Sequence, residues 1–327
     1  MRASIVTGVG GPEVVQPGEL PDPTAGPGEV LVALETAALN HRDVWIRTGR
    51  GDRPAVLGSD GAGRIAALGD GVAGPQVGTE VVINPYLNWG GREDGPEPGS
   101  EILGVPHQGT HAELIAVPAD HVLPRPARLS WEEAAALPLA GLTAWRALVT
   151  RGRVAQGMRV LIPGAGGGVS TFLVQLAHAM GAEVVVTSAA AWKLDRAREL
   201  GATLGVLYTD PEWPAQVGEI DLAIDSIGAA SWPGIFECLR IGGTLVSFGR
   251  TGGSTAEIDV PRFYYGQWNL LGTTMGSPRE LDALLAHVER ADWRPVVDSS
   301  FPLAEAAAAH ARLEHPDRFG KVVLRVR

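Results

Sequence analysis

The sequence predicts an α/β protein in which a doubly wound parallel sheet is joined to a second, mostly β domain. Three observations carry this. Six short apolar runs alternate with helical segments between residues 159 and 274, the pattern of strands buried on both faces. Residues 1–125 instead show short β-type runs punctuated by Gly and Pro. At 327 residues and 45% apolar content, the chain is longer than one hydrophobic core usually supports.

In chain order, residues 29–34, 63–68, 80–83 and 112–117 read as strands of the first domain. Residues 84–104 are rich in Pro, Gly and acid and read as an exposed loop. Ser130 followed by Glu133 forms a capping box ahead of an Ala-rich helix, which opens the second domain. Strands are expected from about residues 159, 183, 204, 221, 243 and 269, with helices over 171–180 and 192–200. Helices over 278–290 and 303–313 follow, then a terminal strand from Lys321 that is more easily returned to the first domain than added to a complete sheet. The expected organisation is therefore 1–125 with 276–327 as one domain and 126–275 as the other.

A formal net charge of −10 leaves no basic stripe to neutralise a phosphate backbone, so nucleic acid is not expected as a partner. The single cysteine, Cys238, lies in an apolar stretch and allows no intrachain disulfide, which fits a reducing compartment. No leader pattern and no uninterrupted apolar run of membrane-spanning length is present, so a cytoplasmic protein with no membrane association is expected.

The most informative motif runs from Gly164 to Ser170, Gly-Ala-Gly-Gly-Gly-Val-Ser, between a strand and a helix. Small residues there let the backbone approach a pyrophosphate, and the helix start attracts its charge. The third small position is Ser170 where glycine is usual. An acid at the end of the next strand would bind the ribose 2′-OH of NAD; here the chain reads Thr187-Ser188-Ala-Ala-Ala-Trp-Lys193. Ser188 can donate a hydrogen bond and Lys193 a charge to a 2′-phosphate, so NADP(H) is the expected cofactor. Only Lys193 and Lys321 are lysines among the 27 basic residues, as though lysine were kept where a compact ammonium is needed.

Taken with the segments Asn40-His-Arg-Asp43-Val-Trp45, Leu57-Gly-Ser-Asp60-Gly, Leu137-Pro-Leu-Ala-Gly-Leu-Thr143, Asp225-Ser-Ile-Gly228, Phe248-Gly249 and Gly320-Lys-Val-Val-Leu324, the whole chain resembles the medium-chain dehydrogenase/reductase superfamily, and within it the zinc-independent quinone oxidoreductases. The resemblance implies a GroES-like domain formed by both chain ends, a Rossmann domain between them, a small-molecule substrate, and a homodimer through the Rossmann sheet edge. It places Asn40 and Thr143 near the nicotinamide, Gly167, Gly168 and Val169 under the pyrophosphate, and Ser188, Lys193 and Tyr208 around the 2′-phosphate. Phe248, Gly249 and Thr273 flank the nicotinamide ribose, with Lys321 nearby.

Zinc-dependent members of the superfamily ligate their catalytic metal where this chain has Asn40, Ser59 and Ala140, and alanine cannot bind a metal at all. No metal is expected. Without one, polarisation of the substrate falls to hydrogen bonds and positioning. That favours quinones and α,β-unsaturated carbonyls, which delocalise an incoming electron pair themselves. Asn40 is assigned to orienting cofactor or substrate, Asp43 to fixing the local backbone, and His41, Tyr264 and Tyr265 are candidate proton donors. The competing readings are a zinc-dependent alcohol dehydrogenase and a low-turnover NADPH-binding redox sensor.

Overall fold

The computed structural model describes residues 1–49 and 55–327. Along the chain come β1 (Arg2–Val6), β2 (Val15–Glu19), β3 (Glu29–Ala38), α1 (His41–Arg47), β4 (Asp60–Leu68), β5 (Glu80–Ile83), β6 (Tyr86–Leu87), β7 (Glu101–Ile102), β8 (Leu114–Pro118) and β9 (Val122–Pro124). Next are α2 (Trp131–Ala136), α3 (Pro138–Trp145), β10 (Arg159–Pro163), α4 (Gly168–Ala179), β11 (Glu183–Ser188), α5 (Ala191–Glu199), β12 (Leu204–Leu207), α6 (Trp213–Val217), β13 (Ile220–Asp225), α7 (Trp232–Cys238), β14 (Leu239–Ser247), α8 (Val260–Gly266) and β15 (Asn269–Gly272). The chain ends with α9 (Pro278–Arg290), β16 (Val297–Pro302), α10 (Ala306–Glu314) and β17 (Lys321–Arg325).

These elements form two compact units, Met1–Ala140 with Gly276–Arg327, and Gly141–Met275. In the second unit all six expected strands are present and parallel, in the order β12-β11-β10-β13-β14-β15. This is the two-halved nucleotide-binding order, with the reversal of strand sequence falling beside β10. The strands read as near-continuous apolar runs because both faces are covered. Leu161, Val185 and Ala223 are buried on one side, and α4 contributes Phe172 and Leu173 with no exposure at all.

The first unit is a largely antiparallel sheet ordered β16-β17-β3-β4-β5-β9, with β8 also pairing β3. The terminal strand β17 lies between β16 and β3, as expected of a strand returning to the first domain. Gly63 permits the tight β3–β4 pairing, since a Cβ there would lie 2.1 Å from the Ala33 carbonyl oxygen. The core joins Val30, Val32 and Leu34 of β3 to Ala306, Ala309 and Leu313 of α10.

Two expectations need correction. The division falls at 140/141 instead of 125/126. The capping box of Ser130 and Glu133 is present, but the alanines it introduces, Ala134, Ala135 and Ala136, are buried where α2 packs on β3 and β4 of the first unit. Nor is the 84–104 stretch simply an exposed loop. Tyr86, Leu87, Trp89 and Leu103 are buried, Tyr86 and Trp89 meet edge to face at 4.8 Å, and β6 and β7 form a short hairpin. Pro, Gly and acid dominate its composition while a few aromatic and aliphatic anchors hold it down.

Candidate active site

In the first unit the site begins where β3 gives way to α1. Asn40 is the N-cap of α1, and its backbone N–H donates to Asp43 Oδ2 at 2.7 Å, one half of a capping box. Asp43 Oδ1 also accepts from the Gly58 N–H at 3.3 Å, and Asp43 has no exposed surface. Its carboxylate therefore ties the start of α1 to the strand entry at β4.

The Asn40 side chain belongs to a different set of bonds. Its Nδ2 donates to Asp60 Oδ2 at 2.9 Å, while its Oδ1 accepts from Lys321 Nζ at 2.6 Å. The same ammonium donates to Asp60 Oδ2 at 2.9 Å, and the Leu139 N–H donates to Asp60 Oδ1 at 2.7 Å. Asp60 has no exposed surface, Lys321 3% and Asn40 8%. Burying such a pair is tolerable only because each charge is hydrogen-bonded; removing one partner from a buried ion pair costs about 3–5 kcal/mol. Asp60 stands in the Leu57-Gly-Ser-Asp60-Gly segment, yet composition and spacing assign it no role, because its partners come from distant parts of the chain. Lys321, expected beside the nicotinamide ribose, is committed to Asn40 and Asp60.

His41 follows on α1. Burial, with the charges of Arg318 and Lys321, pushes its pKa down to about 4. At neutral pH the ring is uncharged and can donate a hydrogen bond but has no imidazolium proton to give up. His107 and His111, which flank Gly109, do not converge. His107 is exposed and bonds Glu101 at 2.7 Å, while His111 is buried with its pKa lowered chiefly by that burial.

In the second unit every expected cofactor residue from Gly167 onward sits at or just beyond the carboxyl ends of the parallel strands, where this architecture binds ligands. Gly167 is the N-cap of α4 and no side chain caps that helix. Gly164 and Gly166 have φ of +77° and +96°, conformations that favour glycine. The N–H groups of Gly168 and Val169 in the first helical turn therefore stay available to an anion. Ser170 Oγ is buried beneath the turn with no hydrogen-bond partner among the described residues.

At the end of β11, Ser188 Oγ accepts from the Ala190 N–H at 3.2 Å, and the Ser188 carbonyl receives the Tyr208 N–H at 3.1 Å. Tyr208 follows β12 and is 46% exposed, and Lys193 lies in the first turn of α5 with its ammonium 5.4 Å from the Trp192 ring centre. These three residues thus belong to adjacent strand ends. Beyond β13, Asp225 accepts from the N–H groups of Ile227 and Gly228, from Ser231, from Trp232 and from Ser247, which fixes the loop after it. Gly249 packs so closely on that loop that a Cβ would lie 1.8 Å from the Ser226 carbonyl oxygen. Phe248 N–H donates to the Asp225 carbonyl, and Thr273 N–H to that of Ser247. Thr143 is buried within α3. Tyr264 and Tyr265 are 50% and 74% exposed on α8, their rings 4.7 Å apart.

Residues 26–127 match the alcohol dehydrogenase GroES-like domain, and residues 168–290 the zinc-binding dehydrogenase domain. A zinc-type alcohol dehydrogenase-like protein of Schizosaccharomyces pombe is 34% identical, over 92% of this chain and 91% of its own length. The chain belongs to the medium-chain dehydrogenase/reductase superfamily. A quinone oxidoreductase of Pseudomonas aeruginosa is 29% identical over 96% of each chain. Among solved structures, an NAD-dependent alcohol dehydrogenase superposes with a TM-score of 0.94 at 40% identity, covering both chains completely. As a member of this superfamily, the protein is an oxidoreductase that uses a nicotinamide cofactor.

The zinc that this family name implies does not fit the residues present. Asn40 is occupied by Lys321 and Asp60. Ser59 Oγ donates to the Leu103 carbonyl at 2.7 Å and accepts from Arg42 at 3.1 Å, and Ala140 offers no donor atom. Among the described residues, no three His, Cys, Asp or Glu side chains are grouped to hold a metal ion.

Proposed function

We propose that this protein is an NADPH-dependent oxidoreductase that reduces quinones or α,β-unsaturated carbonyls without a catalytic zinc. One observation carries the reading: where zinc-dependent members would place ligands, Asn40 is bonded to the buried Lys321–Asp60 ion pair, and neither Ser59 nor Ala140 completes a ligand set. A site of this kind can orient a carbonyl by hydrogen bonding but cannot coordinate it. Acceptors that spread negative charge through conjugation need no more than that.

When bound, the nicotinamide supplies the hydride. The N–H groups of Gly168 and Val169 after Gly167 would hold the pyrophosphate, with Thr143, Phe248, Gly249 and Thr273 around the nicotinamide and its ribose. Ser188, Lys193 and Tyr208 would hold the 2′-phosphate, a role supported by their adjacent strand ends and by the absence of an acid at the end of β11. Asn40 would orient cofactor or substrate, His41 would offer a hydrogen bond, and Asp43 keeps the start of α1 in place.

An NADH enzyme is the second reading, favoured by the NAD-dependent relative at 40% identity. Oxidation of NADPH and NADH is to be followed with a panel of quinones, enones, simple aldehydes and simple ketones. The proposal expects turnover with quinones or enones and preference for NADPH. Turnover confined to simple aldehydes or ketones, or equal use of both cofactors, would overturn the corresponding half. Tight NADPH binding with no acceptor would favour a sensor.

The proposed assembly is a cytoplasmic homodimer. β15 is a free edge of the parallel sheet, and Ile241, Val260, Tyr264 and Tyr265 are exposed on the strands and helix near it. Light scattering of Tyr265→Glu, compared with the unaltered chain, tests this: a monomer in both cases would reject it. Among the described residues no helix is long and apolar enough to cross a membrane.

A further inference from the structure

We infer that Lys321 and Asp60 are positioning residues that lock the Asn40 carboxamide in one orientation, so that its remaining Nδ2 hydrogen is offered as a donor to a carbonyl oxygen. This rests on the oxidoreductase reading above and deepens it.

A carboxamide turned by 180° exchanges a donor for an acceptor in nearly the same volume. At Asn40 two neighbours of opposite capability forbid that exchange. An ammonium only donates, so the amide atom 2.6 Å from Lys321 Nζ is the oxygen. A carboxylate only accepts, so the atom 2.9 Å from Asp60 Oδ2 is the nitrogen. Both constraints select the same orientation. The two charges are themselves held, by their mutual 2.9 Å contact and by the Leu139 N–H on Asp60 Oδ1 at 2.7 Å.

The hydrogen inventory then leaves one group over. Nδ2 carries two hydrogens, and only the one given to Asp60 has a partner among the described residues. Asn40 retains 8% of its surface, whereas Lys321 retains 3% and already spends two of its three hydrogens, which makes Asn40 the more accessible donor. In the flipped state a lone pair would face any approaching oxygen and repel it. With the flip barred, the donor is fixed before the reaction begins, and a preorganised donor stabilises developing negative charge without rearrangement. Two carbonyls have the required chemistry, that of the acceptor and the carboxamide of the nicotinamide.

The test is a cycle in the full-length protein, using NADPH with whichever quinone or enone it turns over, together with NADPH titration by fluorescence. The variants are Asn40→Ala, the double variant Lys321→Met/Asp60→Asn, which leaves no buried ion unpaired, and the triple combination. Loss of the donor is expected to lower kcat about 100-fold in Asn40→Ala. The double variant should lose at least about tenfold, and the triple should be within about twofold of Asn40→Ala, because all three residues act through one N–H. Multiplying losses would show that Lys321 and Asp60 act independently of Asn40 and would overturn the inference. A rise of about tenfold in the NADPH Kd of Asn40→Ala identifies the nicotinamide carboxamide as the acceptor of the bond; an unchanged Kd with reduced kcat identifies the substrate carbonyl.

Should the double variant not fold, Asn40→Asp keeps an oxygen for Lys321 and removes the donor, and wild-type kcat in that protein would refute the inference. The absence of turnover with every quinone and enone would sink the proposed reaction alone. The orientation is then read from the side-chain ¹⁵N–¹H resonances of Asn40, expected as one proton protected from exchange by Asp60 and one not. Two equivalent, rapidly exchanging protons would overturn it.

Discussion

The Lys321 ammonium lies 2.9 Å from the Asp60 carboxylate, with 3% of one side chain and none of the other exposed to solvent. A charge pair so placed is far more sensitive to loss of one member than to loss of both. Lys321→Met alone should destabilise the protein by about 3–5 kcal/mol, and adding Asp60→Asn should recover most of that. Denaturant melts of the three proteins provide the comparison. Equal stability of the single and double variants would show that the pair is solvated and not held as described.

The lack of a ligand set at Asn40, Ser59 and Ala140 leads to a simple elemental expectation. Protein purified without added metal should contain well under one zinc per chain, and prolonged treatment with a chelator should leave turnover unchanged. Stoichiometric zinc, or activity lost to chelator and restored by zinc, would contradict the metal-free reading.

Lys193 is the residue on which the cofactor proposal depends most. Lys193→Ala should weaken NADPH binding by roughly tenfold to a hundredfold, the worth of a charge-assisted hydrogen bond at about 1.5–3 kcal/mol, and leave NADH nearly unaffected. Fluorescence titration with both cofactors decides it. An equal effect on the two would show that Lys193 does not meet the 2′-phosphate.

His310 makes folding sensitive to mild acid. Burial, followed by the neighbouring His111 and Arg47, pushes its pKa down from 6.5 to about 3. The ring has no exposed surface and lies 6.0 Å from that of His111; Glu314, which pairs with Arg47, lies one turn further along α10. Between pH 6.5 and 3 the unfolded chain binds a proton that the folded one refuses. Stability is therefore unaffected by this group above 6.5 and falls as pH drops through that window. At pH 5 the loss attributable to His310 should approach about 2 kcal/mol. In His310→Leu the decline in melting temperature from pH 7 to 5 should be shallower, and an unchanged slope would assign the acid sensitivity to other groups, His41 among them.

Much of this fold is legible in the sequence. The six parallel strands announce themselves because burial on both faces demands unbroken apolar runs such as Val184-Val185-Val186, and the turn at Gly164–Ser170 sits between a strand and a helix as its chemistry requires. Less local features stayed hidden. The capping box at Ser130 marks a helix start but says nothing about which sheet will receive Ala134 and Ala135. Trp89 anchors a stretch whose composition is otherwise that of a solvated loop. At the site, Asn40 and Lys321 stand out as residue types in motifs, whereas the Asp60 bonds that join them depend on contacts across most of the chain, and no local pattern encodes those.

Lys321 and Asn40 are 281 residues apart in the chain. At a synthesis rate of about 5–20 residues per second, Asn40 leaves the ribosome roughly 15–60 s before its partner. By then the six-stranded parallel sheet, complete at Gly272, can already have formed, while β3 still lacks the neighbour that β17 will supply. The polar centre is thus closed only once β17 has been made. A nascent chain halted before Lys321 would carry a complete parallel sheet, a β3 strand whose Thr36–Ala38 segment lacks its β17 partner, and an Asp60 carboxylate with no counter-charge, a species suited to recognition by chaperones and proteases.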